Sequence, residues 1–464
     1  MIKRIKWWLL LFKVRVKPLW KDAASPFEYW IIFASLFNHL NIRMKRNLGV
    51  FLPFALGVPE DGLKEPVALV TLKEIERRFE PLNLEGSKEP FHYNVILPTI
   101  NPTLIFGGYI GLFHFVASLL KRGCRIRLLV SEDVVPPMDL LLSQFDSDSI
   151  VYQCISRCEI VNAMDRTVAT QVGKEDVFIG YSWFTMRLAH QAAISLNEKR
   201  AIFFIQEFEP IFHHYDSLRF LAEETYSFPH SAVFNSPQLV NYFESKKIGV
   251  FNSKQQGSHC FFKHAISEVK PPNIDEIKQR KQKKILLYAR PESHAGRNMF
   301  EVTILALKEA IKQNVFELSD WTFFGIGSLE AIKSKLMLAD DVELQLLQKM
   351  PYSEYISSLN QYDIGISLMY APHPSVPPLE MASAGMLTIT TEFENRTASE
   401  MAGISNNILS AEHTMESIVS SIRQAVARVD DYQARCDNAN IKWPTSWEQS
   451  FNDKFSTEFD TLSQ

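Results

Sequence analysis

Residues Ser367 to Arg396 read SLMYAPHPSVPPLEMASAGMLTITTEFENR. The run opens at the end of an apolar strand, DIGISLM (363–369), passes through a proline-rich turn, enters a helix at PPLEMASAG and leaves in the strand MLTITT (386–391). Pro377 and Pro378 suit a helix's first turn, because proline's φ is already helical there and its missing N–H has no intrahelical acceptor to lose. A strand, a helix and a second strand in so short a span make a parallel βαβ unit.

Working outward, the same rhythm extends upstream. KKILLYAR (283–290) is a strand, a helix runs from about Asn298 to Gln313, WTFFGIG (321–327) is a strand, and YSEYISSLNQ is a helix. An earlier series begins at residue 91. FHYNVILPTI is a strand, NPTLIFGG a loop, YIGLFHFVASLLKRG a helix closed by Gly123, and CRIRLLV a strand. DVFIGYS (176–182), RAIFFIQ (200–206) and SAVFNS (231–236) continue it. The expected fold class is α/β: two Rossmann-like domains, 91–262 and 283–440, facing a cleft where strand C-termini meet ligands. Between Lys263 and Lys284 lie seven basic residues and three acids, which reads as a linker over 263–282. Residues 441–464 form an amphipathic helix, with Trp443 and Trp447 four apart, that packs back across the domains.

The remaining 1–90 are a mostly helical extension. Residues 1 to 20 carry Lys3, Arg4, Lys6, Lys13, Arg15 and Lys17 and no acid, around an apolar run of six residues, Trp7 to Phe12. That run is far short of the roughly 20 residues a spanning helix needs. Cations beside Trp and Leu suit peripheral contact with an anionic membrane, and a basic first helix packed on the body is the alternative. Phe27 to Leu40 reads as a buried helix.

Over all 464 residues, 49 Lys plus Arg oppose 53 Asp plus Glu, a net charge of −4, which excludes a whole-chain nucleic-acid binder; 46% hydrophobic content excludes disorder. Five scattered Cys make no disulfide framework, so a reducing, cytoplasmic setting is expected.

The start of the PPLEMA helix offers N–H groups to phosphate oxygens, and Glu380 one turn in suits sugar or ribose hydroxyls. With FGGYIGL, FFIQEFEPIFHHY, AVFNS, YARPE followed by RN, and ISLMYAPHPSVPPLEMA, the chain resembles GT-B glycosyltransferases of the retaining family 4 type over about residues 91 to 455. Within them it is most similar to the bacterial rhamnosyltransferases of surface-layer glycan assembly.

That resemblance implies transfer of L-rhamnose from dTDP-L-rhamnose to a growing, possibly lipid-linked glycan, with retention and without a metal or other cofactor. Arg290, Arg297 and Glu380 would be the catalytic groups. The arginines would hold the diphosphate by charge-assisted bonds, and Glu380 the ribose. The family's first motif Glu falls at Pro372, leaving His373 and Ser375 as candidates for the sugar contact. Gly107 and Gly108 match the glycine loop near the donor phosphate. Other readings are a UDP- or GDP-sugar donor, or a non-catalytic nucleotide-sugar-binding module of a polymerase complex. Glu292 and Glu301 are alternative partners for the arginines, and the glycines could simply make a turn.

Other groups are weaker. Trp183 ends a strand and could stack on an acceptor sugar or pack in the core, and Glu207 and Glu209 are acceptor-side candidates. Asp146 and Asp148 spell DxD but sit in a polar turn; Cys154 and Cys158 lack a second ligand pair; His213 and His214, being adjacent, point in different directions and make no metal site.

Overall fold

The computed structural model describes residues 67–462 apart from 89, 106, 198–200, 256, 328–335 and 349. The expected membrane contact through residues 1–20 and the Phe27–Leu40 helix lie outside the described residues. Among the described residues no helix is long and apolar enough to cross a membrane.

Two seven-stranded sheets form the body. Across the first, the strands lie in the order Glu159–Val161, Ile126–Val130, Tyr93–Leu97, Val177–Gly180, Ala201–Ile205, His230–Phe234 and His259–Phe261, every pair parallel. Tyr93–Leu97 and Ala201–Ile205 are buried at every position, as strands covered by helices on both faces must be, which is why they read as unbroken apolar runs. Across the second sheet the order is Leu336–Ala339, Val342–Leu346, Trp321–Ile326, Lys283–Tyr288, Ile364–Ile366, Leu387–Thr391 and Ile408–Ala411, with only the first pair antiparallel. In each sheet the chain reverses its direction of travel beside the first strand. The crevices so created open between Tyr93–Leu97 and Val177–Gly180 in one sheet, and between Lys283–Tyr288 and Ile364–Ile366 in the other.

Three features differ from the sequence reading. Residues 67–87 join the first domain: Phe79, on the helix Val67–Phe79, meets Trp183 edge-on at 6.0 Å and lies under Arg187 at 4.4 Å, and Leu84–Ser87 pairs with Thr170–Gly173. The 263–282 stretch includes a helix, Ile274–Lys278. Where one helix was expected over 441–464, the described residues to 462 hold two short helices, Trp447–Ser450 and Asp453–Asp460, because Ser446 and Asn452 each accept a hydrogen bond from a backbone N–H three residues on and start a helix of their own. Phe455 and Phe459 enter the first domain's core, while Trp443 packs with Leu379 and Ile404 of the second and donates to the His264 carbonyl at 2.8 Å.

Candidate functional site

On the second domain, the strand Lys283–Tyr288 delivers Arg290 to the sheet's C-terminal edge. Its Nε donates to Glu292 at 2.9 Å and its Nη1 to the Tyr288 hydroxyl at 3.3 Å, so Glu292 is a partner of Arg290 as the alternative reading held. Arg297 lies in the short 3-10 helix Ser293–Asn298. Among the described residues no carboxylate, Glu301 included, comes within ion-pair distance of it, and its buried Nε has no partner. Its guanidinium sits 4.9 Å over the ring of Phe212, from the first domain, and its carbonyl accepts from Tyr370 N–H at 2.7 Å. The cation therefore bridges the cleft and is tied to the loop after the strand Ile364–Ile366.

Arg396 bolts that loop down. Fully buried, it donates to the carbonyls of Met369 at 2.6 Å and Ala371 at 3.4 Å. Burial lowers its pKa to about 10, against the pull of Glu207. Beyond the bolt, Ser375 takes the left-handed conformation at φ 66 and donates its N–H to His373 Nδ1 at 3.0 Å. With Nδ1 accepting, the neutral ring carries its proton on Nε2, which is buried and has no partner. Burial holds His373 well below the usual histidine range, and His264, Arg297 and Arg396 add to it. The ring is thus an uncharged N–H donor held among cations.

The helix Pro377–Ser383 corrects one expectation. Pro377 and Pro378 have no N–H, those of Leu379 and Glu380 bond to the Val376 carbonyl at 3.0 and 3.1 Å, and that of Ser375 is taken by His373. Few backbone donors are therefore left at this helix start for a phosphate. Glu380 itself is 1% exposed, and the Tyr352 hydroxyl donates to its Oε1 while accepting from Ser267 Oγ at 3.1 Å. Burial pushes the Glu380 carboxyl up to about 7, and the Tyr352 hydrogen bond works the other way.

On the first domain, the helix Gly107–Lys121 begins at the crevice. Gly107 is exposed, and a Cβ there would touch nothing within 4 Å, whereas one on Gly108 would lie 2.8 Å from the Tyr181 hydroxyl. Gln206 donates to the Gly108 carbonyl at 2.7 Å and accepts from Asn235 at 2.7 Å, tying a helix start to two strand ends. Next along the chain come two buried acids. Burial raises Glu207 to about 7, against Arg297, the Phe208 N–H, Arg396 and the His373 N–H; burial raises Glu209 to about 8, against a 3.0 Å bond from the Trp183 N–H and helped by Glu207. The Trp183 ring is 3% exposed and meets Phe79, Phe184 and His213 edge-on. Its side chain is core, and its contribution to the site is the backbone N–H on Glu209.

The remaining groups fall where a structural role places them. Asp146 and Asp148 are exposed in a turn, Cys154 and Cys158 are buried free thiols, and Asp216 caps the helix Ser217–Thr225. Among the described residues no group of three or more His, Cys, Asp or Glu could hold a metal. Sequence reasoning missed Arg396, Gln206, Asn235, His264 and Tyr352. Arg396 closes the very stretch quoted at the outset, and Gln206 lies inside the IQEFEP motif, so both stood in the matched segments without a chemical signal of their own.

The family model described as the WsaF N-terminal domain matches residues 92–237, and that of the WsaF C-terminal domain matches residues 283–423. The chain belongs to the WsaF family. A relative of this WsaF-family chain is the O-antigen biosynthesis protein RfbC of Myxococcus xanthus, 25% identical over 231 residues. That match takes in 48% of the chain and only 16% of the relative's own length. Among solved structures, sucrose-phosphate synthase from Thermosynechococcus elongatus superposes with a TM-score of 0.55 at 10% identity, covering 81% of this chain and 97% of that one. Anabaena HepE in complex with UDP gives 0.50 at 10% identity, covering 81% and 100%. These likenesses establish the GT-B fold for the WsaF-family chain.

Proposed function

We propose that the protein is a glycosyltransferase that moves L-rhamnose from dTDP-L-rhamnose to a growing surface polysaccharide or lipid-linked glycan, with retention at the anomeric carbon. The observation that carries this reading is one juxtaposition at the second sheet's crevice. Arg297, which among the described residues has no carboxylate within ion-pair distance, and His373, whose imidazole is neutral, lie close enough to act on one another and on the buried Glu207 of the first domain. The buried carboxylate Glu380 stands on the helix that the His373 turn leads into. Glu380 would accept from ribose hydroxyls, Arg290 and Arg297 would hold the diphosphate, and the His373 Nε2–H would donate to a sugar hydroxyl where the family's first motif Glu is missing. A nucleotide donor also fits family membership and the binding of UDP by HepE, a protein of the same fold.

In the proposed reaction the acceptor oxygen bonds to the anomeric carbon as the bond from that carbon to the diphosphate oxygen breaks. The acceptor's proton passes to the departing diphosphate oxygen. Arg290 and Arg297 stabilise the charge that develops there, so no metal is called upon. Peripheral attachment at the cytoplasmic face of a membrane through residues 1–20 belongs to the same proposal.

Calorimetric titration with dTDP, UDP and GDP, followed by transfer from the matching nucleotide sugars, tests it. The expected result is tightest binding of dTDP and turnover of dTDP-L-rhamnose. Tighter UDP or GDP binding would replace the donor, and nucleotide binding without any transfer or hydrolysis would favour a non-catalytic module.

A further inference from the structure

Just after the two buried acids, the segment from Phe212 to Phe220 places three aromatic side chains in solvent: Phe212 is 45% exposed, Tyr215 93% and Phe220 66%. A chain whose core absorbs so many of its aromatic rings has no packing reason to leave these three outside, and patches of this kind mark binding surfaces. Their position is informative. Phe212 lies beneath Arg297, the cation assigned to the donor diphosphate, so one end of the row touches the reaction cleft. His213 leans edge-on against Trp183 at 5.8 Å, whose N–H holds Glu209. Tyr215 and Phe220 follow Phe212 within eight residues of chain, and one face of Tyr215 is braced by the Arg219 guanidinium at 4.2 Å, itself held by Glu223 at 2.9 Å.

We infer that this row is the platform on which the acceptor glycan lies, an assignment that rests on the glycosyltransferase reading above. Sugar rings offer flat CH faces to aromatic rings and hydroxyl edges to polar neighbours. The segment alternates both kinds of group, with His213, His214, Asp216 and Ser217 among the rings. Its charge argues against an anionic lipid surface: residues 212–225 hold Asp216, Glu223 and Glu224 against Arg219 alone. An uncharged saccharide carries no such penalty.

The test uses the full chain and its Tyr215→Ala, Phe220→Ala double variant, with Tyr215→Ser as a second variant at the most exposed position. Fluorescently labelled short rhamno- and manno-oligosaccharides are the glycan probes, dTDP the nucleotide probe, and phosphatidylglycerol vesicles the lipid probe. Loss of two aromatic contacts should weaken saccharide binding about tenfold and leave dTDP affinity unchanged. Equal saccharide binding by both variants and the parent chain overturns the platform. So does a parent chain that binds dTDP and none of the saccharides, or vesicle binding that the double variant abolishes. Aromatic-dependent saccharide binding by a chain that binds no nucleotide would support the platform and sink the donor reading instead.

Discussion

Replacing Glu380 by Gln should move stability and ligand affinity in opposite directions. The carboxyl is 1% exposed, and burial raises it from 4.5 to about 7. A carboxyl raised in the folded state means that the native chain binds the extra proton. Its stability is therefore greatest below the unfolded value, falls as pH climbs through the interval, and carries the full cost above about 7. At 1.36 kcal/mol per unit, that cost is about 2 kcal/mol at pH 6 and about 3 kcal/mol at pH 8.5. Gln keeps an acceptor for the Tyr352 hydroxyl and removes the charge, so urea unfolding should show a gain over the parent chain that widens by about 1 kcal/mol between those two pH values. Binding should go the other way. If the anion accepts ribose hydroxyls, trading a charge-assisted bond for a neutral one costs about 1 to 2 kcal/mol, or roughly 5- to 30-fold in dissociation constant. Calorimetry with dTDP-glucose, whose diphosphate is fully ionised throughout, isolates the protein's own titration. Parent-chain affinity should rise as pH passes about 7, and the Gln variant should show a flat profile. Unchanged affinity beside the expected stability gain would leave Glu380 a buried structural acid and refute its role in donor binding.

Three further outcomes follow from the geometry. Arg297→Lys retains a charge but loses the planar fork, and transfer should fall about tenfold or more in initial-rate assays at saturating acceptor. Gly108→Ala should lower unfolding free energy by about 1 to 3 kcal/mol, because its Cβ would lie 2.8 Å from the Tyr181 hydroxyl; Gly107→Ala, with open space, should stay within about 0.5 kcal/mol in the same denaturant titration. Asp363→Ala removes the partner of Arg435 at 3.1 Å and of Arg280 at 2.9 Å; it strands a guanidinium that is 1% exposed and should cost about 3 to 5 kcal/mol by thermal unfolding.

Much of the fold was legible because parallel strands covered on both faces must be apolar throughout. KKILLYAR, WTFFGIG and MLTITT each stand out by an apolar or β-branched stretch, and each contains a strand, Lys283–Tyr288, Trp321–Ile326 and Leu387–Thr391. Short or half-covered elements gave no such signal. The antiparallel pair Leu336–Ala339 and Val342–Leu346 is exposed or only partly buried at most positions, and Ile408–Ala411 is four residues long. Within the candidate site, single motifs pointed to Glu380, His373 and the arginines as candidates, whereas the partners each of them meets depend on contacts between distant segments. Arg297 meets Phe212 only through folding, and Arg396 reaches the carbonyls of its loop only because a strand turns back.

The instructive failure is the pair Pro377 and Pro378. Proline marks a helix start because its φ is already helical and it lacks a donor to leave unpaired. That same missing donor empties the helix start of the N–H groups an anion would need, and the two remaining N–H groups of the first turn close on Val376. A helix start announced by two prolines is thus a rigid wedge, well made to aim the side chain just behind it and poorly made to cradle phosphate. Here the wedge aims Glu380 at the Tyr352 hydroxyl, while Arg396 fixes the loop before it through Met369 and Ala371. The motif supplies orientation, and in the proposed function the charge to meet a diphosphate comes from side chains outside it, Arg290 and Arg297.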